Sequence, residues 1–136
     1  MNPRVIIITQ GLSRIVEPIC NKHIVVGIIE SKPRKRPKGL FILIRYLYHL
    51  VKNNKQSLSS FAKKRDIPYF YMKNGSDVAL EEWVRMQNSD ILVVHSMSQL
   101  LRENIFSIPK YKTINLHTSL LPNYRGPNPL FWIYLN

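Results

Sequence analysis

RVIIIT, the stretch from Arg4 to Thr9, is a run in which every residue from Val5 onward is β-branched. A short apolar run of this kind is typical of a strand buried on both faces of a parallel sheet. Similar runs, also predicted as strands, are His23 to Ile29, Ile67 to Tyr71, Asp90 to Val94 and Lys112 to Leu116. Helical segments alternate with these runs. The order predicts an α/β protein, a three-layer Rossmann-like fold with a mainly parallel sheet of about five strands.

The segments between the strands have the spacing of apolar residues that is expected for helices. They are Arg14 to Cys20, Leu40 to Lys52, Leu58 to Arg65, Asp77 to Gln87 and Leu100 to Phe106. Ser13, Ser57 and Ser76 precede three of them and are predicted N-caps, because a serine hydroxyl can accept a hydrogen bond from a free backbone N–H. Glu30 is expected to end the second strand.

The loop after the first strand reads TQGLSR and contains a single glycine. It lacks both the GxGxxG fingerprint of dinucleotide-binding folds and the pattern of a phosphate-binding P-loop. We therefore predict no dinucleotide site.

Length and composition favour one folded domain in a reducing compartment. The chain has 136 residues, 45% of them hydrophobic, which is enough for a core. No apolar run approaches the roughly 20 residues of a membrane span, and the run near the N-terminus is too short for a signal peptide. Cys20 is the single cysteine, so an intrachain disulfide is excluded. These features predict a cytoplasmic protein without a membrane partner.

Positive charge is concentrated in one part of the chain. The net charge is +12, and the segment from Ser31 to Arg65 contains many Lys and Arg residues but no Asp or Glu. This segment, whose densest run is Lys32 to Lys38, suggests an anionic partner: a nucleic acid, a nucleotide diphosphate or a membrane surface. A solvated basic surface is the alternative, because no aromatic residue interrupts this run as base stacking would require.

The stretch TINLHTSLLPNYRGPNP, from Thr113 to Pro129, contains the strongest candidates for catalysis. Asn115 and His117 are two residues apart, which places both side chains on one face of a strand. An amide N–H can stabilise a developing oxyanion, and an imidazole can exchange a proton near neutral pH. In the following loop, Ser119 and Arg125 offer donors for an anionic substrate. This set favours direct acyl transfer to an amine, and a capped loop with a satisfied histidine is the alternative.

Other chemistries have less support. We find no Ser-His-acid or Cys-His pattern around this stretch, and no cluster of His, Cys and acidic residues at the spacing of metal ligands. No metal site is predicted. The carboxyl ends of the fourth and fifth strands, which carry His95 to Ser98 and Asn115 to His117, are where we expect a ligand to bind.

INLHTSLLPNYRGPNP resembles the signature of the folate-dependent formyltransferases, whose motif runs Asn-x-His, then Ser-Leu-Leu-Pro and an aromatic-Arg-Gly triplet. The matching residues are Asn115, His117, Ser119, Leu120, Leu121, Pro122, Tyr124, Arg125, Gly126 and Pro129. The preceding DILVVHSMSQLL resembles the family's fourth strand and the loop that holds the pteridine of 10-formyltetrahydrofolate. This sequence has His-Ser-Met where the family often has Ala-Tyr-Gly.

The resemblance implies formyl transfer from 10-formyltetrahydrofolate to a primary amine. Asn115 and His117 would be the catalytic residues. Met97, Leu100, Leu101 and Asn115 would contact the folate. Ser119, Tyr124, Arg125 and Trp132 would bind an anionic, amine-bearing acceptor. No metal is implied.

The family's third catalytic residue, an aspartate a few tens of residues after the Asn-His pair, has no counterpart here. After His117 the sequence contains no Asp or Glu. We therefore expect residues 1–136 to be a formyltransferase-like catalytic domain truncated at its C-terminal side, with an incomplete sheet. Such a chain would be a poor catalyst and could form a homo-oligomer through its open edge.

Three acceptors are considered: a nucleotide-linked amino sugar, methionyl-tRNA and glycinamide ribonucleotide. TQGLSR does not resemble the phosphate loop expected for the last, and it lacks the Gly-Thr pair usual in the methionyl-tRNA enzymes. YRGPNPLFW resembles the sugar-modifying branch, with Trp132 near the acceptor, so an amino sugar is predicted first and tRNA second. The alternative from another class is a non-catalytic nucleic-acid-binding module built on the basic segment.

Overall fold

A computed structural model describes residues 2–33, 56–119, 121–123, 126 and 133–134. Within them one sheet has the strand order β3-β2-β1-β4-β5, and every neighbouring pair is parallel. The strands are β1 (Arg4–Thr9), β2 (Ile24–Ser31), β3 (Tyr69–Met72), β4 (Ile91–His95) and β5 (Thr113–Leu116). The predicted α/β fold with a mainly parallel, five-stranded sheet is confirmed.

Helices cover both faces of the sheet and form the outer two of three layers. On one face lie α1 (Val16–Lys22) and α2 (Leu58–Lys64), and on the other lie α3 (Val78–Gln87) and α4 (Glu103–Phe106). The predicted helix from Leu40 to Lys52 lies outside the described residues, as does the basic run after Pro33. No helix in the described part of the chain is long and apolar enough to cross a membrane.

The central strand β1 connects the two halves of the core. Val5 and Ile7 pack with α1 and α2, whereas Ile6 and Ile8 pack with α3 and α4. This division follows from the alternation of side chains along a strand. All four side chains are buried, so the continuous β-branched run found in the sequence reflects burial on both faces.

Helix caps agree only in part with the predictions. Ser57 caps α2, because its hydroxyl accepts a hydrogen bond from the N–H of Ser60 at 3.1 Å. Asp77, and not Ser76, caps α3 by accepting from the N–H of Ala79, also at 3.1 Å. Helix α1 has no side-chain cap. The predicted cap Ser13 is wrong, since its hydroxyl accepts instead from Thr9 Oγ1 at 2.9 Å.

Strand β2 is longer than predicted, because Glu30 lies within it and does not end it. Glu30 pairs with Tyr71 in the sheet, and its carboxylate accepts a hydrogen bond from the Tyr69 hydroxyl. Burial, together with this hydrogen bond, raises the pKa of Tyr69. A charged residue is tolerated at this strand position because a neighbouring strand supplies its partner.

Strand β5 was expected to be buried, and this expectation is wrong for the described residues. Within them β5 pairs only with β4, so it forms one edge of the sheet. Ile114 and Leu116 retain 47% and 43% exposure. Its carboxyl end nevertheless lies beside that of β4, because Val94 is opposite Asn115 and His95 is opposite Leu116.

Arg4 joins the start of β1 to the end of α3. Its Nε donates to the carbonyl of Asn88 at 2.8 Å, and one Nη donates to that of Gln87 at 2.9 Å. A guanidinium that satisfies the last carbonyls of a helix also interacts favourably with the helix dipole. We expect Arg4→Met to lower the free energy of unfolding by about 1 kcal/mol, measured by urea denaturation.

Arg14→Met is the matched control, because the exposed Arg14 side chain has no such interaction with a helix end within the described residues. This control substitution should change the midpoint of urea denaturation little. Equal losses in the two variants would contradict the role assigned to Arg4.

Candidate functional site: a cleft at the carboxyl edge of the sheet

A cleft with a volume of about 820 Å³ opens where β1, β4 and β5 end. Its walls come mainly from Gln10 after β1, residues 94–101 at the end of β4 and beyond, and Thr113 with residues 115–118, while Phe106 and Gly126 contribute from further along. Strand order reverses between β1 and β4, and open parallel sheets bind ligands at that point. The size falls within the range of small-molecule sites.

Asn115 and His117 both line this cleft. Asn115 is the third residue of β5, and His117 follows the strand directly. The His117 Nδ1 accepts a hydrogen bond from the backbone N–H of Thr118 at 3.1 Å. In the neutral imidazole the proton is therefore on Nε2. The cleft thus holds two side-chain N–H donors, an amide and an imidazole, at the end of one strand.

Met97, Leu100 and Leu101 line the same cleft and give it an apolar wall. Met97 and Leu101 also pack against the core on the α3 and α4 side, and this packing holds them in place. Leu100 is largely exposed to the cleft and to solvent. The structure therefore places all the predicted folate contacts in one cavity with the predicted catalytic pair.

The predicted acceptor-binding residues are less well defined. Ser119 is half-buried and is not among the described residues that line the cleft. Tyr124, Arg125 and Trp132 lie outside the described residues. Thr118 and Gly126 line the cleft on this side.

Two wall residues did not emerge from the sequence. Gln10 follows β1, and the strand order could have indicated it, because this position lies at the reversal point of the sheet. Phe106, at the end of α4, reaches the cleft through helix packing, for which the sequence holds no signal. His95 ends β4 and also lines the cleft, with its Nδ1 buried and unpaired among the described residues.

The chemistry of the wall suits a flat, partly polar organic ligand. One side is apolar, and hydroxyl, amide and imidazole groups converge from the other segments. Within the described residues we find no group of three His, Cys, Asp or Glu side chains that could hold a metal ion. No carboxylate is among the described residues of the wall.

Comparison with known proteins gives a consistent result. A family model described as formyl transferase matches residues 9–136. The methionyl-tRNA formyltransferase of Sulfurihydrogenibium sp. is 36% identical over 124 residues, which cover 89% of this chain and 35% of that protein. The bifunctional polymyxin resistance protein ArnA of Wigglesworthia glossinidia brevipalpis is 38% identical over 80 residues, covering 59% and 12%. The chain spans about a third of the length of the first of these relatives.

Solved structures share the fold at low sequence identity. Phosphoribosylglycinamide formyltransferase from Anaplasma phagocytophilum superposes with a TM-score of 0.66 at 20% identity, over 99% of this chain and 59% of that one. A formyltetrahydrofolate deformylase from Pseudomonas putida gives 0.63 at 16% identity, over 99% and 45%. These similarities concern the fold alone.

Proposed function

The chain belongs to the formyl transferase family, and from this premise we propose that it transfers a formyl group from 10-formyltetrahydrofolate to a primary amine. The observation that carries the proposal is that Asn115 and His117 line the same cleft as the apolar residues Met97, Leu100 and Leu101. The two polar side chains can act on a reacting group, while the apolar wall can hold an aromatic ring system beside them.

Bound 10-formyltetrahydrofolate would supply the activated formyl group. Attack by an amine moves negative charge onto the formyl oxygen, and a donor is most effective when it is aimed at the site of that charge. The Asn115 amide and the His117 Nε2–H are suited to this role. Both belong to one strand end, so their mutual position is held by the sheet and does not depend on a long loop.

The attacking amine must also lose a proton. The family resemblance assigns this step to an aspartate, and among the described wall residues the titratable groups are His95 and His117. Since Nδ1 of His117 accepts from Thr118, that ring is arranged to donate through Nε2 and not to accept there. Because the chain spans about a third of the length of its methionyl-tRNA formyltransferase relative, the activity of the whole protein is part of this proposal.

We propose methionyl-tRNA as the first acceptor to test. The relative from Sulfurihydrogenibium and several others that match this chain are methionyl-tRNA formyltransferases. The net charge of +12 also suits a polyanionic acceptor. The amino-sugar acceptor predicted from YRGPNPLFW stays a prediction and is the second candidate.

The test follows transfer of a labelled formyl group by the whole protein to methionyl-tRNA and, separately, to a nucleotide-linked amino sugar. We expect formyl-methionyl-tRNA, formed at a rate that falls steeply with salt, because phosphate contacts release counterions. Uncharged tRNA and an N-acetylated sugar, which lack the free amine, are the controls. Preferential labelling of the sugar would contradict the tRNA proposal, and labelling of neither would contradict both.

The non-catalytic alternative makes a different prediction for the same protein. A nucleic-acid-binding module would keep its affinity for RNA in the His117→Ala variant and lose it when the lysines and arginines from Lys32 to Lys38 are neutralised. An enzyme would instead lose folate-dependent formylation in the His117→Ala variant.

A further inference from the structure

The segment of residues 96–102, which we name the cleft loop, carries three of the four predicted folate contacts, Met97, Leu100 and Leu101, and follows β4 without regular structure. A loop in such a position holds a ligand well only when other parts of the fold fix it. The residues that fix this loop are therefore relevant to affinity, and one of them, Gln99, is itself part of the cleft wall.

Gln99 connects the cleft loop to the end of β2, across β1. Its Oε1 accepts a hydrogen bond from the hydroxyl of Ser31, a side chain with 0% exposure. Its Nε2 donates to the carbonyl of Lys32 at 2.6 Å. The neighbouring Ser98 hydroxyl donates to the same carbonyl at 2.9 Å.

These contacts determine which way the Gln99 amide faces. The Lys32 carbonyl can only accept, so the amide must present its NH₂ group there and its oxygen to Ser31. The N–H of Lys32 is already bonded to the carbonyl of Met72 at 2.9 Å, so the end of β2 is itself held by β3. The cleft loop is thus attached to the end of β2.

We propose that Gln99 is a positioning residue, which holds the cleft loop against β2 and thereby sets the affinity of the cleft for a folate. This inference rests on the proposed function for the identity of the ligand, but not for the contact itself. If only a fraction of molecules has the loop in place, the apparent dissociation constant rises by the inverse of that fraction. Two lost hydrogen bonds are enough to lower the fraction about tenfold.

The first test is Gln99→Met, which keeps the length of the side chain and removes both hydrogen bonds. We expect the dissociation constant for 10-formyltetrahydrofolate, measured by calorimetry, to rise about tenfold. KM for the folate should rise in parallel while kcat changes little, because Asn115 and His117 lie at the end of β5 and not in the cleft loop. Gln87→Met is the matched control, since the Gln87 amide donates to Trp83 within α3, outside the cleft.

Gln99→Glu separates positioning from bulk stability. As a carboxylate, the new group faces the Lys32 carbonyl with an oxygen and repels it, whereas the protonated acid offers an O–H in place of the amide N–H. Binding should therefore be weak at neutral pH and recover towards wild type as the pH falls towards about 4, where a glutamic acid becomes protonated. The wild type is titrated in parallel because Lys32, His95 and His117 also lie nearby.

Hydrogen exchange in the ligand-free chain tests the contact without assuming any ligand. Amides of residues 96–102 should exchange faster in Gln99→Met and not in Gln87→Met. If the wild type binds folate and Gln99→Met shows unchanged exchange or unchanged affinity, the positioning role is wrong. If exchange rises as expected but even the wild type binds no folate, the contact stands and the proposed function fails.

Discussion

His117→Ala is expected to lower the rate constant of formyl transfer by about 10²–10³-fold while the chain stays folded. The ring is half-buried and lies after the end of β5, so its removal leaves the core untouched. The substitution removes the Nε2–H donor. In the wild type the proton is on Nε2 because Nδ1 of the ring accepts a hydrogen bond from the Thr118 N–H. Single-turnover transfer with saturating folate measures the effect directly.

His23→Ala is the matched control, because His23 is exposed and lies just before β2, at the amino ends of the strands, whereas the cleft lies at their carboxyl ends. The control should retain the wild-type rate. Asn115→Ala should also lower the rate, and the double variant should lose less than the product of the two, because both donors act on one oxygen. Full activity in His117→Ala would exclude the proposed chemistry.

Gly75→Ala is expected to weaken folate binding by at least about tenfold and to destabilise the fold by roughly 1–3 kcal/mol. A Cβ built on Gly75 would lie 2.2 Å from the carbonyl oxygen of Leu100 and 3.3 Å from the Cα of Leu101. These are backbone atoms, so the cleft loop itself must move. The N–H of Arg102 also donates to the Gly75 carbonyl at 3.1 Å, which makes this turn a second anchor of the loop.

Gly27→Ala provides the comparison, because it also introduces a steric clash, but with side chains of α3 and not with the loop. A Cβ there would lie 2.6 Å from Cη2 of Trp83, so this variant should also unfold at lower urea concentration. Folate affinity, corrected for the folded fraction, should fall in Gly75→Ala and stay unchanged in Gly27→Ala. If both variants lose affinity equally, the loss reflects general destabilisation and not the position of the loop.

The sheet could be predicted from the sequence, and so could the meeting of the candidate site residues in one cleft. RVIIIT could be recognised as a buried strand, because a strand that is covered on both faces has a continuous run of apolar residues. The convergence of the β4 and β5 ends also followed, since the carboxyl ends of parallel strands meet at one edge. On that basis Asn115 and His117 were placed beside the loop of Met97, Leu100 and Leu101, as the structure has them.

Local details were predicted less well, because they depend on neighbours distant in the sequence. Glu30 continues β2 because a tyrosine on the next strand binds its carboxylate. Two adjacent residues, Ser76 and Asp77, can both cap a helix, and the fold decides between them because the Asn74 side chain engages Ser76. The exposure of Ile114 and Leu116 follows from the position of β5, which pairs only with β4 within the described residues, and not from the composition of the strand.

The anchors of the cleft loop could not have been predicted at all. Gln99 and Ser31 are 68 residues apart in the sequence, and neither lies in a recognisable motif. Gly75 is part of an ordinary Asn-Gly turn, and only the close approach of Leu100 gives it a further role. Such contacts depend on how the chain packs, whereas motif residues can be recognised from type and spacing alone.

The most direct test of the proposed folate site is a titration of the isotope-labelled chain with 10-formyltetrahydrofolate, followed by backbone amide NMR shifts. We predict saturable binding to one site, with the largest shifts in residues 95–101 and 115–118, which form most of the cleft wall. Absence of saturable binding, or shifts concentrated on α1 and α2 on the other face of the sheet, would contradict the assignment of this cleft.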